Sequence, residues 1–156
     1  MAKTFGELEV YQLALELDES IWRLRAQLRN ESPRLWDQLD GSAGSVADNI
    51  AEGFGRETRA DFRNFLRFSR GSLHEAQSQI KRAGRRGLLA KDLVASLEAW
   101  CERLSVRLKN FQNYLMTAER SSSSYEVREP MPTYEGQEPA LAPSELPSWW
   151  PSSSGE

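Results

Sequence analysis

Cysteine is nearly absent from this sequence. Cys101 stands alone among 156 residues, which excludes an internal disulfide and suits a reducing compartment. Histidine is as scarce: with His74 the only one and no Glu-x-x-His pattern, no metal site and no cofactor is expected. No segment reaches the roughly 20 apolar residues of a membrane span. The N-terminal MAKTFGELEV also lacks the apolar core of a signal peptide. No membrane contact is expected, and the expected location is cytoplasmic. Proline is missing from the first 120 residues except at Pro33, and no alternating strand pattern competes there with helical spacing.

The composition changes sharply near residue 120, which divides the chain into a body over 1–120 and a tail over 121–156. The body holds nearly all the large aliphatic side chains, with 19 Lys and Arg against 17 Asp and Glu. The tail has six of the seven prolines, nine serines, six glutamates and Arg128 as its sole positive charge. So little apolar surface cannot offset the entropy of ordering, and a disordered acidic tail is expected. The net charge of −3 therefore averages a slightly basic body with a strongly acidic tail, and arguments about partners must treat the two separately.

Four helices follow from periodicity and punctuation. The first opens at Thr4, which forms a capping box with Glu7, and its seam is Val10, Leu13, Leu17, Ile21, Leu24 and Leu28; residues 30–33 end it. Ser32 and Pro33 start the second, with Leu35, Leu39, Ser42, Val46 and either Asn49 or Ile50 on its buried face. Gly41 and Gly44 lower its helix propensity and predict close packing or a bend. Gly53 and Gly55 are expected to terminate it, and Thr58 with Asp61 to cap the third helix, which runs to about Ala83 with Phe62, Leu66, Ser69, Leu73, Ala76 and Ile80 buried. A turn at Gly84 and Gly87 leads to the fourth, with Leu93, Leu97, Trp100, Leu104, Leu108, Phe111 and Leu115 in line. Short connections favour antiparallel neighbours, so the expected fold is an all-α, antiparallel up-down four-helix bundle.

Beside its apolar stripe the third helix carries a second one. Arg59, Arg63, Arg67 and Arg70 fall within roughly 40° of one line along the helix. From Gly53 to Arg86 the cations are these four with Arg56, Lys81, Arg82, Arg85 and Arg86, against Glu57, Asp61 and Glu75, a local balance of +6. Folding does not require such a stripe, because like charges one turn apart repel. Guanidinium forks suit phosphate oxygens, so an RNA or DNA backbone fits, bound in a salt-sensitive and mostly sequence-independent way. Three other uses stay open: salt bridges with Glu52, Glu57 or Asp61, a subunit interface or central channel in an oligomer, and the chain's own acidic tail lying over the basic face.

The segment SVADNIAEGFGRETRADFRNFLRFSRGSLHEAQSQI resembles the hallmark segment of four-helix-bundle proteins encoded in intervening sequences of bacterial 23S rRNA genes. Asn49, Ala51, Glu52, Gly53, Gly55 and Arg56 fall in place, as do Arg70, Gly71, Ser72 and Glu75. FGELEVYQLALEL is similar to their N-terminal segment, and the likeness covers about residues 4–117. The chain departs at Ala47, where the usual motif has proline, so a softer kink is expected; the tail lies outside the pattern. The resemblance implies a small helical protein without established catalysis that often forms a ring of five. A related branch, the accessory variability determinants of diversity-generating retroelements, works with a reverse transcriptase and its RNA, which implies such an enzyme as a protein partner.

The remaining candidates have competing readings. Asn49 and Glu52 form a polar pocket that contacts a ligand or positions Arg56, or else serve structure, Asn49 bonding loop backbone and Glu52 pairing with an arginine of the third helix. His74 lies in line with the arginines and is expected at the surface; Cys101, beside the fourth seam, is expected to be packed. Asp48 and Glu52 are too ordinary a pair to carry nuclease chemistry, and no catalytic residue is expected. Phe65 and Phe68 project away from the arginines and either widen the core or join Tyr11, Trp22 and Trp36 in an apolar ring interface. Trp149 and Trp150, between prolines, form a docking motif or an unselected chain end. Two functions follow from these features. The first is a non-catalytic oligomeric bundle binding nucleic acid through Arg56, Arg59, Arg63, Arg67, Arg70, Lys81, Arg82, Arg85 and Arg86. The second is a protein-interaction scaffold whose acidic Trp-Trp tail docks a partner.

Overall fold

A computed structural model describes residues 2–118 and 127–130. The described residues form an all-α structure without strands: a 3₁₀ turn, Phe5–Glu7, then α1 (Glu9–Trp22), α2 (Arg25–Glu31), α3 (Pro33–Phe54), α4 (Arg59–Arg85) and α5 (Lys91–Ala118). Five α-helices therefore stand where four are expected, because the first predicted helix is interrupted at Arg23 and Leu24. There the Leu24 N–H reaches only three residues back, to the Ile21 carbonyl at 2.9 Å. This tightening leaves the seam intact, since Leu24 and Leu28 remain buried.

The capping box at Thr4 does not form. Its side chain makes no cap bond, Leu8 occupies the N-cap of α1, and the Glu7 carboxylate accepts instead from the Lys3 N–H at 2.9 Å. The α1 start is closed from far along the chain: Glu129 accepts from the N–H groups of Glu9 (2.7 Å) and Val10 (3.0 Å). Burial raises its carboxyl pKa, a push that those two donors oppose. Val127 is buried beside it, its carbonyl accepting from the Ala2 N–H. Residues 127–130, assigned to the tail by composition, thus pack on the body. The disorder expected for the rest of 121–156, and the Trp149–Trp150 motif, concern residues outside those described.

Pro33 occupies the first turn of α3 as expected. The helix is continuous through Ala47, which is buried, and Ile50 rather than Asn49 continues the apolar face. Gly53 does not terminate it: α3 runs to Phe54 and Gly55 caps it with φ −76°. Nor do Gly41 and Gly44 mark close packing, since a Cβ at Gly41 meets nothing within 4 Å and one at Gly44 only Asp18 Oδ1 at 3.7 Å. The close approach is at Gly53, whose Cα faces Phe62 and Phe65. Thr58 caps α4 as its sequence predicts, its hydroxyl accepting from the Asp61 N–H at 3.1 Å. Gly87, with φ +71°, turns the chain toward α5.

Contacts between α3 and α4 run in opposite directions: Gly53 lies against Phe62, Ser69 Oγ donates to the Val46 carbonyl (2.7 Å) and Ser72 meets Ser45 (2.9 Å). Along α4 and α5, Arg70 meets Gln112, His74 meets Ser105 and Lys81 meets Glu98 in the same reversed order. Packing of α1 against α3 and α5 completes the core, with Trp100 donating to the Leu13 carbonyl (3.2 Å) and Arg107 paired with Glu9.

Asp18, half-buried on α1, faces an acidic neighbourhood on α3. Burial, then Asp40, Glu19 and Asp48, push its carboxyl from 3.8 up to about 6. Because this lies above the unfolded value, the folded chain holds the proton more tightly, so stability falls as pH rises from about 4 through about 6. Asp18→Asn is expected to raise urea resistance at pH 7.5 by about 1 kcal/mol, a figure reduced for solvent screening, and to flatten the dependence between pH 4 and 7. Unchanged urea midpoints across that range would contradict the assignment.

Candidate nucleic-acid interface

The arginines of α4 divide by what surrounds them. The stripe follows the α4–α5 seam, since Arg63 and Arg70 flank α5: Gln112 Nε2 donates to the Arg63 carbonyl (3.3 Å) and Arg70 Nη1 donates to Gln112 Oε1 (3.2 Å). Arg59, Arg63 and Arg70 are half-buried, and Arg59 and Arg63 are engaged within the chain. Lys81 pairs with Glu98 at 3.2 Å, Arg56 with Glu52 at 2.5 Å. Arg67, Arg82, Arg85 and Arg86 are exposed, and among the described residues none of the four has a carboxylate partner. The salt-bridge use thus applies to Arg56 and Lys81, while the outward charge concentrates at Arg67 and the C-terminal end of α4.

Phe65 and Phe68 do not stand apart from the arginines. Their rings meet edge to face at 5.6 Å, the Arg56 guanidinium lies 4.6 Å from the Phe65 centroid, and that of Arg67 lies 5.5 Å from Phe68. Long side chains span the angular gap that backbone periodicity predicts. Phe68 is 49% exposed, so one ring and one cation share an accessible face. The alternative apolar patch, in which Phe65 and Phe68 join Trp22 and Trp36, is not assembled. Trp36 is buried with Trp22 beside it at 6.0 Å, near the start of α3, while Phe65 abuts Gly53 near its end. By helix rise these lie roughly 25 Å apart.

Asn49 and Glu52 both bond within the chain, though not to the loop backbone and third-helix arginine that the structural alternative names. Asn49 Nδ2 donates to the Ser45 carbonyl (2.7 Å) and Ser45 Oγ (3.0 Å), so it bonds its own helix rather than loop backbone. Ser45 in turn meets Ser72, giving a polar link across the α3–α4 contact. Glu52 holds Arg56 within the turn, not an α4 residue, and so orients the guanidinium over Phe65. His74 is exposed, its Nε2 3.2 Å from Ser105 Oγ. Cys101 is buried, which pushes its thiol up to about 12 and leaves it a packing residue.

Sequence reasoning missed Arg34 and Gln38, which line a cleft with Arg82 and Arg86. The signal was present: in an antiparallel hairpin the first turn of α3 lies opposite the last turn of α4. Reading the arginines as one helix's stripe conceals the third cation of the cleft, Arg34, on the neighbouring helix.

No helix of the described residues is long and apolar enough to cross a membrane. A search of the curated proteins found no match. The sequence pattern of the 23S rRNA-intervening sequence proteins matches residues 6–110, about two thirds of the chain. With that match, and with the hallmark residues Asn49, Gly53, Arg56 and Ser72 placed along the α3–α4 contact and its connecting turn, the chain belongs to the 23S rRNA-intervening sequence protein family.

Proposed function

We propose that this chain is a non-catalytic nucleic-acid-binding protein whose α4 surface contacts phosphate. The observation that carries the reading is the group of exposed arginines, Arg67, Arg82, Arg85 and Arg86, without carboxylate partners among the described residues. They spread over about 30 Å of helix. Such a row holds its like charges at a cost that a polyanion removes. The family, named for an RNA context, supports RNA as the nucleic acid. The Phe68 ring beside Arg67 adds a surface on which an unpaired base stacks.

In this reading α1 and α2 count as one interrupted helix of an antiparallel up-down four-helix bundle over residues 1–120. The protein assembles with copies of itself, five by family likeness, and exposed Leu15, Trp22, Val106 and Met116 supply apolar contact area. Service as accessory factor to a reverse transcriptase is its most specific extension, supported by resemblance alone. Mass by light scattering tests the assembly, with a ring of five expected at about five times 17.8 kDa.

Arg67 and Arg85 are the residues to change, because neither is tied to an acidic side chain. Converting both to Gln is expected to weaken binding of a labelled RNA about tenfold or more and to reduce the salt slope by about 1.4 for a single strand, with helicity unchanged by circular dichroism. Equal affinity of the double variant and the parent chain would remove the proposal.

A further inference from the structure

We infer that the cleft between the start of α3 and the end of α4 is a phosphate-binding pocket, lined by Ser32, Arg34, Leu35, Gln38, Arg82 and Arg86. Its volume is about 280 Å³, against about 30 Å³ for one water molecule, so a phosphate group enters with water to spare. Three guanidinium groups from two helices line it, and no carboxylate does. Among the described residues Arg34, Arg82 and Arg86 have neither an ion pair nor a hydrogen bond from the side chain. Three cations gathered without a counter-charge repel one another, and the cost is recovered when an anion enters.

Phosphate fits better than carboxylate. A phosphate monoester carries up to two charges on three oxygens, enough for bonds from all three arginine forks, whereas a carboxylate offers one charge and two oxygens. The Ser32 hydroxyl makes no cap bond to α3 and remains available, as a neutral donor beside the Gln38 amide. The positive end of the 22-residue α3 and the negative end of the 27-residue α4 both border the cleft and offset one another, so the arginines carry the site. Arg34 and Gln38 lie outside the α4 row. A free phosphate ion satisfies the pocket, so it stands even where the nucleic-acid reading fails. The phosphate has two sources, the end of a nucleic-acid strand or a small free phosphate, and the pocket's chemistry is common to both.

Calorimetric titration of the full chain with inorganic phosphate, at constant ionic strength, tests the pocket. Saturable binding is expected, weakened about tenfold or more by Arg34→Gln and by Arg86→Gln and unaltered by Arg67→Gln. No saturable binding, or equal binding by the parent and both cleft variants, overturns the inference. A second arm compares two short oligonucleotides that differ only in a 5′-phosphate or 5′-hydroxyl. A preference for the phosphorylated strand, lost in Arg34→Gln, assigns the pocket to strand ends; equal binding of the two, with phosphate still bound, assigns it to a free phosphate. Because Arg67→Gln with Arg85→Gln leaves the cleft complete, loss of RNA binding there and loss of phosphate binding at Arg34 are read separately.

Discussion

Phe62→Ala is expected to cost about 3–5 kcal/mol of folding stability, a large part of what a domain of this size has. Phe62 is fully buried in the first turn of α4, and its ring meets Phe54 at 6.3 Å and Phe111 at 5.2 Å, both edge to face. It therefore joins the end of α3, the start of α4 and the end of α5. Removing the ring forfeits its transfer free energy and leaves a cavity where three helices meet. Urea unfolding followed by circular dichroism measures the loss. Phe68→Ala, six residues further along α4, is predicted to change stability by less than about 0.5 kcal/mol, because that ring is half exposed. Similar losses for the two substitutions would contradict the packing described.

Gly53→Ala is the second large effect, and its sign opposes helix propensity. Alanine is favoured over glycine within a helix by up to about 1 kcal/mol. Yet a Cβ at Gly53 would stand 2.6 Å from the Phe62 ring and 2.6 Å from the Phe65 Cβ. The ring is packed between Phe54 and Phe111 and the Phe65 Cβ is fixed to the α4 backbone, so the helices must separate, at about 1–3 kcal/mol. Separation also disturbs Phe65, the platform under Arg56. A net loss of about 1–2 kcal/mol is expected. Gly41→Ala, on the same helix with open space around it, is expected to gain up to about 1 kcal/mol. The opposite signs, read as urea midpoints, separate a contact glycine from a merely tolerated one; a gain at Gly53 would show that α3 and α4 are not in close approach there.

The helices themselves were legible because their apolar spacing is regular. The seams of α4 and α5 are buried nearly as read, with Leu93 only half-buried, and the Thr58 cap forms. Local capping rules failed at Thr4, where a residue 120 positions away, Glu129, supplies the cap of α1 instead. No local pattern encodes such a contact. The break at Leu24 was equally hidden, since the apolar period continues through it while only the backbone hydrogen-bonding changes. For the candidate site, the set of cations was readable but its partition was not. Which cations keep an acidic or amide partner depends on α5, whose Gln112 and Glu98 engage Arg70 and Lys81. Arg34 joins the site through the antiparallel return of α4, a tertiary fact that a single helix cannot display.

Contact between α4 and a phosphate backbone makes RNA binding depend on salt. Fluorescence anisotropy of the full chain with a labelled single-stranded RNA, measured from 50 to 200 mM KCl, yields log K against log salt. A straight fall is expected, with a slope of about −0.7 for each phosphate contacted and hence near −3 with one phosphate engaged by each of the four exposed arginines. Absence of saturable binding at 50 mM KCl, or an affinity indifferent to salt, would contradict that contact.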